Sequence, residues 1–231
     1  MLLYVRSVVK VPRVTEISDR SVVYTAGVTE VIQEEPLQDG RRLRGDATRQ
    51  MAAKRAAEIA TVNGLDSISV GQLASDTGLS KSGILTVFGS RENIQIAAVA
   101  EARKTFRGAI FVPVWDAEEG AIRLRAVLHA WRDYLASEVF PGGCFLAATA
   151  VEYGHRDGPV AESVRRFKQE WLDVIESELA TAGHPDPVRG AFEIDAFVTA
   201  ANTRHQLFGD VAALDRGLAL ALAVVDEAPA S

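Results

Sequence analysis

Apolar residues recur every three or four positions along most of the chain after residue 45, which is the spacing of one face of an α-helix. Glycine, proline and capping serine residues separate these runs, and no strand-like alternation follows Pro113. The pattern predicts nine helices, at about residues 46–63, 69–77, 80–88, 91–107, 117–139, 144–152, 159–182, 188–208 and 211–225. We therefore expect an all-α fold over this part of the chain.

The first 35 residues follow a different pattern. The runs LLYVRSVVKVPRV and SVVYTAGVTEVI are rich in valine, threonine and tyrosine, and Pro12, Asp19 and Gly27 interrupt them. This composition favours short strands over helix. Because a two-stranded hairpin is only marginally stable alone, the segment would dock on the helical body, pair with a second copy or stay disordered. It can also be an over-called translation start. No function is assigned to residues 1–35, and residues 1–45 as a whole are interpreted as an N-terminal extension and linker.

Two short predicted helices meet at a tight turn in the stretch SVGQLASDTGLSKSGILTVFGSREN, residues 69–93. Ser69 and Ser80 are suited to cap the two N-termini, and Gly78 can adopt the positive φ that the turn requires. Apolar side chains at helical spacing would hold the helices together and leave the first turn of the second helix exposed. The spacing is that of a helix-turn-helix, although any helix–loop–helix in an α-domain can show it.

The segment from Thr48 to Phe106 resembles the DNA-binding domain of the tetracycline-repressor (TetR) family of transcriptional regulators. The resemblance lies in EIATVNGLDSISV followed by LASDTGLSKSGILTVFGSREN, and the run from Ser69 to Asn93 is its specific part. The runs FPGGCFLAATAVEYGHRDGPV and RHQLFGD are similar to features of one TetR subgroup. The resemblance implies an N-terminal helix-turn-helix domain of three helices with a connecting helix, residues 46–107, and a C-terminal helical effector-binding and dimerisation domain, residues 108–231.

The resemblance also implies a function. A TetR-like protein would be a ligand-responsive regulator, usually a repressor, that binds a palindromic or pseudo-palindromic DNA operator as a homodimer. The last two helices would form a four-helix bundle across the dimer two-fold axis. The final helix, VAALDRGLALALAVV, is apolar around most of its circumference and must be buried, and Ala196, Ala200 and Ala201 permit close packing. For the final helix, burial within one monomer is the alternative to a dimer interface. For the function, the alternative is a regulator that acts by occupying DNA without any ligand.

The distribution of charge supports a DNA-binding end. The net charge is -6, but residues 41–107 carry 11 basic and 6 acidic side chains, a net charge of +5, whereas residues 108–231 carry 10 and 19, a net charge of -9. A basic segment on an acidic body can approach phosphate with one end only. Arg41, Arg42 and Arg44 lie just before the first predicted helix, where an extended arm could enter the minor groove. A solvated linker is the alternative.

The resemblance assigns individual residues to DNA. The base-reading residues would lie in the first turn of the second helix of the motif, and phosphate contacts would come from hydroxyl and guanidinium groups nearby. The base readers are Lys81, Ser82 and Gly83, and the phosphate contacts are Ser69, Thr86 and Arg91. Arg44 lies before the segment that shows the resemblance, and it is a candidate for DNA contact only as part of the arginine arm. Two positions depart from the family pattern: Leu85 replaces a frequent phosphate-binding tyrosine, and Gly71 replaces longer side chains that often reach DNA.

Large aromatic side chains in the C-terminal domain are candidates for an effector site. They would suit a small apolar or aromatic molecule held by few polar groups, but each is also a candidate for the ordinary core. The set comprises Trp131, Tyr134, Phe145, Tyr153, Phe167, Trp171 and Phe197.

Several other classes of protein are disfavoured. The 4 histidines are scattered without metal-ligand spacing, and the sequence has no P-loop, nucleophile elbow or dinucleotide-binding fingerprint. We expect no enzyme activity, no metal and no cofactor. Cys144, the only cysteine, is expected to be a small buried residue, with a redox-sensing thiol as the alternative. No apolar run reaches the roughly 20 residues of a membrane helix and no signal peptide is evident, which predicts a cytoplasmic protein.

Overall fold

The computed structural model describes residues 4–18, 21–36 and 40–228, and the chain divides into two units, Met1–Ala47 and Thr48–Ser231. In the first unit β1 (Tyr4–Ser18) and β2 (Ser21–Pro36) pair antiparallel. Both strands are longer than the sequence suggested. Pro12 lies inside β1, next to a shift in register, because a bulge or an edge strand tolerates a residue that cannot donate a hydrogen bond.

Nine α-helices follow in the described residues. They are α1 (Gly40–Asn63), α2 (Val70–Thr77), α3 (Lys81–Phe88), α4 (Arg91–Ile110), α5 (Ala121–Ala136), α6 (Phe145–Tyr153), α7 (Pro159–Thr181), α8 (Pro187–Phe208) and α9 (Ala212–Val225). Short 3-10 turns, Leu65–Ser67 and Val112–Val114, precede α2 and follow α4. The all-α architecture expected from the hydrophobic spacing is confirmed.

Helix α1 begins at Gly40, six residues before the start that the sequence predicts at about residue 46. The expectation of a linker with an extended arginine arm was therefore wrong, since Arg44 lies within the helix. Arginine is a good helix former, and a single internal glycine such as Gly45 costs only about 1 kcal/mol, so neither residue type ends the helix. The side chain of Arg44 is outside the part of the chain that the structure describes.

The core of the second unit is centred on the end of α4. The Phe106 ring packs edge-on against three aromatic rings of α5 and α7, with centroid distances of 5.3 Å to Phe167 and 5.6 Å to both Tyr134 and Trp171. Helix α4 contacts α3 at its beginning and α5 and α7 further along. It thereby links the helix-turn-helix to the C-terminal helices.

A buried ion pair joins α5 to α7. The Arg123 guanidinium lies 3.0 Å from the Glu178 carboxylate, and both side chains are at most 10% exposed. The second Glu178 oxygen accepts the Gly120 N–H at 2.6 Å. Charged side chains are almost never buried unless they are paired in this way. Between Tyr4 and Ala228, the described helices include none with the length and hydrophobicity of a membrane span.

Candidate DNA-binding surface and effector cavity

The turn between α2 and α3 is fixed by local interactions. The Ser69 hydroxyl oxygen accepts the Gln72 N–H at 3.1 Å, and the Ser80 hydroxyl oxygen accepts the Gly83 N–H at 3.0 Å. Gly78 ends α2 with a φ of 70°, a left-handed conformation that glycine adopts without strain. The predicted caps and turn are confirmed, and they fix the direction in which α3 leaves the turn.

The two sides of α3 differ sharply in exposure. Ile84 and Phe88 are buried. Lys81, Ser82, Leu85 and Thr86 are exposed and share the opposite side, because residues four positions apart lie above one another on a helix. This outward side offers one ammonium group and two hydroxyl groups, and the half-buried Gly83 lies beside them without a side chain to block approach.

Gly71 leaves room for the Lys81 side chain. A Cβ atom at Gly71 would lie 3.5 Å from Lys81 Cε and 3.6 Å from Lys81 Nζ. These are van der Waals distances, so a longer side chain at this position would compete with the lysine for space. The departure from the family pattern at Gly71 thus coincides with a lysine that extends back over α2.

Arg91 has a structural contact that the sequence did not reveal. Its Nε donates to the Ile68 carbonyl oxygen at 2.7 Å and its Nη2 donates to the Asp66 carbonyl oxygen. The guanidinium therefore holds the segment before α2, and its remaining N–H groups are those available to a phosphate. The hydroxyl groups of Ser69 and Thr86 lie on exposed residues, although the Thr86 hydroxyl donates to the Ser82 carbonyl oxygen at 2.8 Å.

A cluster of polar side chains connects α6 to the segment before α2. The Glu152 carboxylate accepts the backbone N–H groups of Leu65 at 2.7 Å and Asp66 at 2.9 Å. The Asp66 carboxylate in turn accepts hydrogen bonds from the Tyr153 hydroxyl at 2.7 Å, the Gln95 amide at 3.1 Å and the Arg156 guanidinium. We call Asp66, Gln95, Glu152, Tyr153 and Arg156 the Asp66 cluster.

The Asp66 cluster keeps its central carboxylate ionised. The hydrogen bond from Tyr153 and the neighbouring Arg156 guanidinium lower the pKa of Asp66. Burial and the bond to Asp66 raise the pKa of Tyr153, which therefore remains a donor. Sequence reasoning missed this cluster because its members lie as far as 90 residues apart.

A small cavity lies among α4, α5, α6, α7 and α8. Its volume is about 30 Å³, which is room for roughly two water molecules. The lining is mainly apolar and aromatic, with a few polar groups from α7 and α8. It consists of Phe106, Trp131, Cys144, Leu146, Ala147, Lys168, Trp171, Asp195, Val198, Thr199 and Asn202.

The polar groups of the cavity are only partly paired. Lys168 Nζ lies 2.5 Å from Asp195 Oδ1, which also accepts the Trp171 indole N–H at 3.1 Å. Asn202 is 7% exposed, and its Oδ1 has no hydrogen-bond partner among the described residues. An unpaired buried amide oxygen is costly, so a bound molecule or water with a donor group would be stabilised there.

The candidate effector residues are dispersed. Trp131 and Trp171 line the cavity. Phe145 and Phe167 are buried in the core, whereas Phe197 is only half-buried on α8. Tyr153 belongs to the Asp66 cluster instead.

Tyr134 packs edge-on against Phe106, and its buried hydroxyl lacks a hydrogen-bond partner in the described residues. Burial raises the pKa of the Tyr134 phenol and also that of the Cys144 thiol. Cys144 is accordingly a buried protonated residue, as the sequence suggested. Sequence reasoning missed Lys168, Asp195 and Asn202, since charged and amide residues on a helix ordinarily indicate a solvated face.

Large apolar side chains are exposed on α8 and α9. Phe192 is 74% exposed and Leu207 is 71% exposed, although such residues are normally buried. Val188, Phe192 and the exposed Ala196 and Ala200 recur every four residues, and therefore form one stripe along α8. Further exposed apolar residues at this end of the chain are Phe208, Val211 and Leu220.

Metal-ligating residues are not clustered in the described part of the chain. No group of three or more histidine, cysteine, aspartate or glutamate side chains there is arranged to hold an ion.

The C-terminal helices match a known family. Residues 120–221 match the family model described as tetracyclin repressor-like, C-terminal domain. No curated protein matches the chain.

Solved structures of TetR regulators share the fold. A TetR transcriptional regulator from Chloroflexus aurantiacus is 25% identical with a TM-score of 0.72, over 80% of this chain and 96% of that chain. A TetR-family regulator from Streptomyces coelicolor is 19% identical with a TM-score of 0.69, over 79% and 96%. AibR, in complex with isovaleryl coenzyme A and operator DNA, is 17% identical with a TM-score of 0.58, over 76% and 96%. The domain match shows that residues 120–221 form a tetracyclin repressor-like C-terminal domain, and the solved structures show that the chain shares the fold of TetR-family transcriptional regulators.

Proposed function

We propose that this protein is a ligand-responsive repressor that binds a palindromic or pseudo-palindromic operator as a homodimer and is released by a small apolar or aromatic effector. The observation that carries the proposal is the outward side of α3. Its first turn presents Lys81, Ser82 and Gly83 on a helix whose direction is fixed by two serine caps and a left-handed glycine. The regulator AibR, which has the same fold, is bound to operator DNA in its structure.

The chemistry of the first turn of α3 suits the major groove. A lysine ammonium group can donate to guanine O6 and N7, a serine hydroxyl can pair with several bases, and glycine permits close approach. Lys81 and Ser82 would read bases. Gly83, which has no side chain, would let the first turn of α3 approach the base edges closely. Ser69, Thr86 and Arg91 would contact phosphates and fix the register on the duplex.

Lys81→Ala provides the test of this assignment. Loss of the ammonium group should relax base preference at one position of each half-site, at a cost of about 1–3 kcal/mol. The measurement is binding to the duplex that the wild-type protein selects from a random library, and to its single-base variants. By contrast, Arg91→Ala should weaken all sequences alike and lower the salt slope by about one.

Lys104→Ala is the matched control, because Lys104 lies on α4 with a side chain that is 66% exposed. It should leave base preference unaltered. An unchanged preference profile in Lys81→Ala itself would show that Lys81 does not read a base.

We propose that the homodimer forms through α8 and α9. The α8 stripe, with Phe192 74% exposed, supplies an apolar face of the kind that protein interfaces bury, and Leu207 near the end of α8 is exposed as well. Burial of α9 within the monomer accounts for Leu214 and Leu218 but leaves Leu220 half exposed. A two-fold pairing of these faces would cover that remaining apolar surface and bring two copies of α3 to two half-sites.

The effector site we propose is the cavity beneath Asn202. Aromatic walls from Trp131 and Trp171 favour an apolar or aromatic molecule, and the unpaired Asn202 amide would bind one polar group. Because the cavity holds only roughly two waters, an effector must displace its walls in order to enter. Such displacement gives the ligand different affinities for two conformations, which an effector response requires.

A further inference from the structure

We propose that Glu152 is the positioning residue through which helix α6 couples the cavity to the helix-turn-helix. The inference rests on the proposed function, and it assigns the coupling to the Asp66 cluster. Two ends of one short helix meet the two sites concerned: Leu146 and Ala147 line the cavity, and Glu152 holds the segment that leads into α2.

Helix α6 is short enough to move as one body. Its nine residues, Phe145–Tyr153, span about 13 Å at the helical rise of 1.5 Å per residue. A displacement of the cavity wall at Leu146 would therefore move Glu152 by a similar distance. The loop before α6 also follows the end of α1, because the Gly142 N–H donates to Thr61 Oγ1 at 3.2 Å.

Gly142 shows how closely these segments approach. A Cβ atom at this position would overlap the Thr61 carbonyl group, so only glycine lets the loop lie against α1. Contacts at both ends of α6 thus reach the stretch from Thr61 to Asp66, which connects α1 to α2. A shift of α6 cannot occur without moving or breaking these contacts.

Glu152 bonds directly to the main chain of this stretch. Each of its carboxylate oxygens accepts one backbone N–H, from Leu65 and Asp66, so it positions main chain rather than a flexible side chain. Gln95 connects this segment to α4. Its side chain is 7% exposed, and its amide donates both to the Asp66 carboxylate and to the Leu65 carbonyl oxygen, each at 3.1 Å. The orientation of α2 and the start of α4 therefore both depend on where α6 places Glu152.

A double-mutant cycle tests the coupling without a known effector. Val198→Phe fills the cavity from α8 and stands in for a ligand, while Glu152→Gln removes one of the two acceptor oxygens. The dissociation constant for the selected operator duplex is measured at fixed salt for the wild type, both single variants and the double variant. Val198→Phe should weaken binding by about 5–150-fold in the wild-type background. In the Glu152→Gln background the same change should have less than about a twofold effect.

The control is Val151→Phe, the same chemical change at a valine of α6 that is 83% exposed. It should leave affinity within about twofold of its parent in both backgrounds. Thermal melts verify folding, and Tyr153→Phe, which removes only the hydroxyl bond to Asp66, replaces Glu152→Gln if that variant is unfolded.

Two outcomes overturn the coupling: an equal effect of Val198→Phe in both backgrounds, or no effect in the wild type. In either case the wild-type protein still prefers its operator, and the proposed function stands. Failure of the wild type to prefer any duplex would instead overturn the proposed function, and the coupling with it.

Discussion

Phe192→Asp should convert the proposed homodimer to a monomer and weaken operator binding by about 10²–10⁴-fold. The aspartate would lie on the α8 stripe, at a side chain that is 74% exposed in one chain, and pairing of two stripes would bury both carboxylates. An unpaired buried charge is strongly unfavourable. Two linked DNA-binding sites gain about 10²–10⁴-fold over one, and this gain would be lost.

Oligomeric state and DNA affinity report on this variant separately. Analytical ultracentrifugation gives the mass, and a titration with the selected duplex gives the affinity. Val151→Asp is the matched control, because it places the same charge on a more exposed valine of α6, outside the proposed α8 and α9 interface. A Phe192→Asp protein that remained dimeric and kept its operator affinity would place the interface elsewhere.

Glu178→Ala should lower the free energy of unfolding by about 3–5 kcal/mol, because it leaves the buried Arg123 guanidinium without its buried partner. It also removes the acceptor of the Gly120 N–H at the beginning of α5. The effect is large for a native protein, whose total stability is about 5–15 kcal/mol. Urea denaturation monitored by circular dichroism gives the value.

The chain supplies a control around the same arginine. Glu119 lies 3.3 Å from Arg123 Nη2, but its side chain is 70% exposed. Glu119→Ala should therefore cost no more than about 1 kcal/mol, as exposed ion pairs do. Equal costs for the two variants would show that burial does not determine the contribution of Glu178.

Local features of this fold could be predicted from the sequence because their causes are local. The serine caps at Ser69 and Ser80 bond to backbone groups three residues away, and the turn at Gly78 depends on one residue's φ. The exposed side of α3 likewise follows from helical spacing. The beginning of α1 could not be placed, because arginine favours a helix and glycine disfavours it, so the mixture of the two before Asp46 indicates no boundary.

Features that depend on distant residues had no sequence signal. Glu152 and Leu65 are 87 residues apart, and Arg123 and Glu178 are 55 apart. In the sequence these four are ordinary charged or apolar residues, and no local pattern marks them as partners. The cavity illustrates the same limit: its tryptophans could be named from aromatic content, whereas Lys168, Asp195 and Asn202 are recognisable only from their positions around it.

The most direct test of the central claim is salt-controlled binding of the wild-type protein to its selected duplex and to a scrambled duplex of equal length. We expect a selected sequence with two half-sites and a preference of at least about 10³-fold over the scrambled duplex at physiological salt. Affinity for both duplexes should fall as salt rises, since released counterions drive the phosphate contacts. Equal affinity for the two duplexes would contradict a sequence-specific regulator.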